Sequence, residues 1–79
     1  MEIKILGTGC PKCKTLEKVT REAVTEAGIT ATIEKVEDIV KILEYNVMHT
    51  PVLVINGKVV LSGQVQTLNQ VKEILIKNQ

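Results

Sequence analysis

The order of apolar patterns along the chain predicts an α/β fold with the element order β-α-β-α-β-β-α. Three observations carry that prediction. Short runs rich in Ile and Val alternate with segments whose apolar residues recur at helical spacing. Asn56-Gly57, lying between two apolar runs, is a strong hairpin signal. Thr67 followed by Gln70 forms a capping pattern that opens a last helix after the hairpin.

The first strand runs from Glu2 to Leu6. A glycine loop, Gly7-Thr8-Gly9, leads to a helix over Pro11 to Ala27, where proline suits the first position because its missing N–H has no helical partner. Leu16, Thr20, Ala23, Val24 and Ala27 form the inward stripe. Glu17–Arg21 and Lys18–Glu22 form i,i+4 pairs on the outer face, and Gly28 ends the helix. Ile29 to Lys35 alternates apolar with polar residues, as a half-buried edge strand does. A short helix over Glu37 to Tyr45 follows, with Glu37 and Asp38 at its positive end. Its apolar side is Ile39, Ile42 and Leu43, and Asn46 stops it in a left-handed conformation. Val52 to Ile55 is apolar throughout, so it is expected to be buried on both faces. Lys58 to Leu61 returns from the hairpin. The final helix buries Leu68, Val71, Ile74 and Leu75. A right-handed crossover makes the first two strands parallel, and the hairpin makes the last two antiparallel. With neither repeats nor linkers, residues 1–79 read as one domain.

Composition narrows the function. Only 1% of the 79 residues are aromatic, with Tyr45 alone in that class, so the stacking platforms of single-stranded nucleic-acid readers are missing. The net charge of +1 shows no basic stripe, which argues against nucleic acid as a partner. Hydrophobic residues make up 44%, enough for a core built from Ile, Val and Leu. No apolar run is long enough to span a bilayer, and Met1-Glu2-Ile3-Lys4 lacks the layout of a signal peptide. A cytoplasmic chain without membrane contact is expected. In that compartment a C-x-x-C is catalytic or metal-binding rather than a structural disulfide.

The motif is Cys10-Pro11-Lys12-Cys13, and its two cysteines are the only ones in the chain. Cys10 closes the loop after the first strand, and Cys13 lies one turn into the helix. Unpaired N–H groups and the positive end of the helix dipole favour thiolate over thiol. In such motifs the first thiol titrates near or below ~7, which points to thiol–disulfide exchange. Lys12 and Lys14 add positive charge, although Lys12 reads equally well as a solvated side chain. A structural zinc needs four ligands; Cys10, Cys13 and His49 are too few for a monomer, while a dimer sharing two motifs stays open. No metal or other cofactor is expected. Thr50-Pro51 enters the most apolar strand. Proline cannot donate to a ladder there; a cis bond would account for its place, and so would a plain strand start.

Gly9-Cys10-Pro11-Lys12-Cys13-Lys14 after a strand, then Thr50-Pro51-Val52-Leu53-Val54, then Ile55-Asn56-Gly57-Lys58, then Gly63, resembles the thioredoxin-fold superfamily. The likeness covers nearly the whole chain and is nearest to its small, glutaredoxin-sized redox-active disulfide proteins of archaea and anaerobic bacteria. It implies a thioredoxin-like, four-stranded mixed sheet in the order 2-1-3-4 with helices on both faces. It implies that Cys10 is the exposed nucleophile, Cys13 the buried resolving thiol, and Pro51 a cis-proline facing the disulfide. It assigns the backbone of Thr50 to pairing with an extended substrate, beside Pro11 and Lys12. The implied function is protein-disulfide reduction as a redox electron carrier, with disulfide-containing proteins as substrates and a reductase as donor.

Departures from the family pattern bear on details. Gly9 stands where thioredoxins carry an aromatic, and Lys4 where they carry a buried acid. The proton route from Cys13 is therefore open, with Lys4 either lowering a thiol pKa or reaching solvent. Gly63-Gln64-Val65 lacks the second glycine and the acid with which glutaredoxins hold glutathione, which favours a thioredoxin-reductase-like donor. His49 reads as a loop histidine, with tuning of the disulfide as the alternative. Tyr45 reads as helix-end packing. The rival function is a metallochaperone using the C-x-x-C for Cu(I) or Zn(II). Those domains run β-α-β-β-α-β and end on a strand, unlike this order.

Overall fold

The computed structural model describes residues 1–79. The elements are β1 (Glu2–Leu6), α1 (Pro11–Ala27), β2 (Thr32–Val36), α2 (Ile39–Leu43), β3 (Val52–Ile55), β4 (Lys58–Ser62) and α3 (Leu68–Lys77). They form one four-stranded sheet in the order β2-β1-β3-β4. β1 pairs parallel with β2, and Leu6 lies level with Val36. β1 pairs antiparallel with β3, with Ile3 opposite Ile55 and Leu6 opposite Val52. β3 and β4 pair antiparallel, with a shift between Leu53 and Val54.

Strand alternation divides the core between the two sheet faces. Ile3 and Ile5 of β1, Leu53 and Ile55 of β3, and Leu61 join Leu16 and Ala23 of α1 and Val71 and Leu75 of α3 in one cluster. On the opposite face Leu6, Val36, Val52 and Val54 meet Ile42 of α2. All four β3 residues are buried, as a strand covered on both faces requires. Thr20, on the inward stripe of α1, is fully buried, and its hydroxyl has no hydrogen-bond partner.

Most ends follow the sequence reading. Gly28 adopts a left-handed φ of 66° and its N–H donates to the Val24 and Thr25 carbonyls. Asn56 and Gly57 take φ values of 50° and 83°, the left-handed pair that a tight hairpin needs. The α3 capping box is complete: the Gln70 N–H donates to Thr67 Oγ1 at 3.3 Å, and the Thr67 N–H donates to Gln70 Oε1 at 2.9 Å.

Three expectations change. β2 begins at Thr32 rather than Ile29, because the Ile29 N–H is taken by the Val24 carbonyl in closing α1. Ile29 and Ala31 still pack on the α1–α3 side of the sheet. α2 covers only Ile39–Leu43, capped by Asp38, whose Oδ1 accepts from the Val40 N–H at 2.9 Å. Its apolar side narrows to Ile42; Ile39, Val40 and Leu43 are 57%, 62% and 61% exposed, since so short a helix turns a single position inward. Asn46 ends the turn beyond it with a φ of 57°, in the expected left-handed conformation. The Glu17–Arg21 pair forms at 3.0 Å, and Glu17 also meets Lys35 of β2 at 3.6 Å, whereas Lys18 and Glu22 form no ion pair.

Candidate redox site at the start of α1

The site lies where β1 delivers the chain to α1. Gly9 turns the loop with a φ of 80°, and Cys10 takes the extended conformation of a helix cap, with φ −68° and ψ 161°. Pro11 occupies the first turn, where no N–H is needed. The Cys13 N–H donates to Cys10 Sγ at 3.1 Å, and the Lys14 N–H donates to the Cys10 carbonyl at 3.1 Å. Cys10 and Cys13 are joined in a disulfide across a Cα–Cα distance of 5.0 Å.

The two sulfur-bearing residues differ in access. Cys13 is buried, at 6% exposure, while Cys10 is half-buried at the rim. In the dithiol state the same cap bond and helix dipole would act on a Cys10 thiolate, because a sulfur anion is a better acceptor than a disulfide sulfur. Pro11 and Lys12 are exposed beside it, and Lys12 enters no ion pair.

β3 supplies the other wall. The Thr50–Pro51 peptide is cis, and Pro51 is fully buried. Because Leu6 lies opposite Val52, Pro51 falls beside Gly7 at the end of the β1–β3 ladder. The Pro51 carbonyl accepts from the Gly63 N–H at 2.8 Å, which ties this wall to the end of β4. Thr50, exposed, comes close to Gly7: a Cβ built on that glycine would lie 4.0 Å from Thr50 Cβ and in hard contact with Cys13 Sγ. Cys13, Thr50 and Pro51 are thus gathered around the Gly7 backbone, with Cys10 bonded to Cys13 and Pro11 and Lys12 exposed beside it.

Three side chains left open by the sequence now have places. Lys4 Nζ lies 3.6 Å from Glu2, toward the end of β1 remote from the cysteines. Tyr45 chiefly, with Glu2 and Glu34, holds the Lys4 ammonium above the ordinary 10.5. Lys4 therefore faces its own polar neighbours rather than the thiols. Tyr45 packs against the Leu6–Ile42 cluster, as helix-end packing predicts. His49 is exposed in its loop, with its Cβ against Gly63.

Two contacts lay beyond sequence reasoning. Glu37 directs Oε2 toward Gly9, 3.7 Å from where a Cβ would sit there. Gly7 abuts the Cys13 sulfur. A glycine at a strand end was the only sequence signal for the second, and an acid just ahead of the second helix the only one for the first.

A model of the thioredoxin domain matches residues 1–76. The chain belongs to the thioredoxin family. A thioredoxin of Methanothermobacter thermautotrophicus is 43% identical over 75 residues, covering 95% of this chain and 97% of that protein. A thioredoxin of Methanocaldococcus jannaschii is 40% identical over 73 residues, covering 92% of this chain and 84% of its own length. Family membership and the Cys10–Cys13 disulfide at a helix start make the chain a thiol–disulfide oxidoreductase. The metallochaperone alternative loses ground on topology, since the thioredoxin-like order β-α-β-α-β-β-α ends on α3. No helix is long and apolar enough to cross a membrane.

Proposed function

We propose that this thioredoxin-family chain is a protein-disulfide reductase in which Cys10 attacks and Cys13 resolves. The Cys10 thiolate attacks one sulfur of a substrate disulfide; a mixed disulfide forms and one substrate thiolate leaves. The Cys13 thiolate then attacks Cys10 Sγ; the mixed disulfide breaks, the Cys10–Cys13 bond forms, and the second substrate thiol departs. The substrate has gained two electrons and the protein has lost two. A thioredoxin-reductase-like enzyme returns them.

The observation that carries this reading is the asymmetry of the pair. Cys10 Sγ accepts the Cys13 N–H at 3.1 Å at the rim, while Cys13 is buried behind it. An incoming disulfide meets Cys10 first. Thr50, exposed beside the cysteines, offers its backbone to an extended substrate segment, with Pro51 beneath and Pro11 and Lys12 on the lip. The chain acts as a monomer of one domain in the cytoplasm, where reductases keep such dithiols reduced.

Single cysteine variants test the assignment. Cys13→Ser should hold a reductant-sensitive mixed disulfide with substrate proteins, because no second thiol remains to release them. Cys10→Ser should hold little and lose nearly all reductase activity. Pull-downs from lysate with each variant, resolved with and without reductant, distinguish the two. Equal trapping by both would sink the nucleophile–resolver division.

A further inference from the structure

We propose that Gly7 is a positioning residue for the resolving thiol, its missing side chain being the space in which the Cys13 sulfur sits. This rests on the nucleophile–resolver reading above. Of the five glycines, Gly9, Gly28, Gly57 and Gly63 have positive φ, which accounts for them by backbone conformation. Gly7 does not share that conformation, and it is buried. What distinguishes it is proximity. A Cβ there would run into Cys13 Sγ, stand 3.2 Å from Cys13 Cβ and touch Thr50 Cβ at 4.0 Å.

Neither partner is free to withdraw. The Gly7 N–H donates to the Val36 carbonyl at 3.0 Å, extending the β1–β2 ladder past Leu6. Cys13 is held one turn into α1 by its own N–H bond to Cys10 Sγ and by the Lys14 N–H bond to the Cys10 carbonyl. With ladder and helix both pinned, a methyl group at residue 7 displaces the sulfur. A displacement on the order of 1 Å lowers the rate of an aligned intramolecular step by up to roughly 100-fold. The atoms nearest that methyl group belong to Cys13 and Thr50, not to Cys10, which takes its cap bond from the Cys13 backbone N–H, so its own attack on an external disulfide is spared.

Reduced protein mixed with one equivalent of dithiobis(nitrobenzoate) reads both steps without a protein substrate. Cys10 attack breaks the reagent's disulfide, forms a Cys10–thionitrobenzoate bond and releases one coloured thiolate. Cys13 attack breaks that bond, closes Cys10–Cys13 and releases a second coloured thiolate, with no other oxidant needed. In Gly7→Ala the first release should stay within about threefold of wild type, and the second should slow roughly 10- to 100-fold. An unchanged second release overturns the proposal. If Gly7→Ala fails to fold, Gly7→Ala combined with Cys13→Ala removes the opposing sulfur and should regain a cooperative thermal transition. A double variant as unfolded as the single one also overturns it. Failure of the underlying reading looks different: wild-type protein would then show no second release.

Discussion

At the residue scale the chemistry rests on one hydrogen bond and one difference in access. The Cys13 N–H points at Cys10 Sγ from 3.1 Å, in the capping position that an oxygen side chain normally fills. Sulfur is a weak acceptor as a thiol and a good one as a thiolate, so this cap strengthens on deprotonation and draws the equilibrium that way. In the reduced protein, the rate of Cys10 alkylation against pH should therefore inflect below about 8.5, where a free cysteine titrates. An inflection at or above that value would mean that the helix start does not activate the nucleophile. Lys4 takes no part in this. It is paired with Glu2 at 3.6 Å and lies by Tyr45.

At the element scale the helices differ in what holds them. α1 is anchored by its buried stripe and by Glu17, which accepts from Arg21 and meets Lys35 of β2. The Arg21 hydrogen bond, followed by the charge of Lys35, holds the Glu17 carboxyl below its ordinary 4.5. A lowered carboxyl contributes stability above the unfolded-state value and loses it as pH falls through the folded one. Wild type should thus exceed Glu17→Gln in urea midpoint above pH 4.5, and the gap should close as the pH is lowered further. A gap independent of pH would assign the effect to packing instead. α2 depends on one side chain. Ile42 is 2% exposed and Leu43 is 61% exposed. Ile42→Ala should cost about 2–5 kcal/mol, and Leu43→Ser at most about 0.5 kcal/mol. Chemical denaturation of both variants checks the contrast.

Across the whole molecule β3 is the member that both cores share. Leu53 and Ile55 serve the α1–α3 face, Val52 and Val54 the α2 face, and Pro51 leads directly from this strand into the redox site. A chain of this length has a total stability of roughly 4–12 kcal/mol at the usual 0.05–0.15 kcal/mol per residue. Leu53→Ala removes a fully buried side chain, and the expected loss of about 2–5 kcal/mol is a large share of that. Its thermal transition should fall well below that of wild type. The Cys10–Cys13 pair sits at the opposite end of β1 from the Asn56-Gly57 hairpin, so hairpin substitutions should weaken the fold before they alter exchange chemistry.

The sequence by itself determined the element order, the hairpin, the caps and the identity of the redox pair. Those features depend on neighbours a few residues apart: Pro11 beside Cys10, Thr67 with Gln70, Asn56 with Gly57, and a continuous apolar run for β3. Tertiary structure decided what depends on residues far apart in the chain. Ile39 and Leu43 carry the same helical signal as Ile42, yet the sheet receives only Ile42, because five residues of helix present one inward position. Ile29 fits the alternating pattern but gives its N–H to the end of α1. Lys4 could be placed on β1 from its spacing, but its partners come from Glu2, Glu34 and the turn after α2. Gly7 looked like one more loop glycine. Only the folding of α1 back over the end of β1 brings the Cys13 sulfur onto it, and local sequence carries no record of a contact made across the packed core.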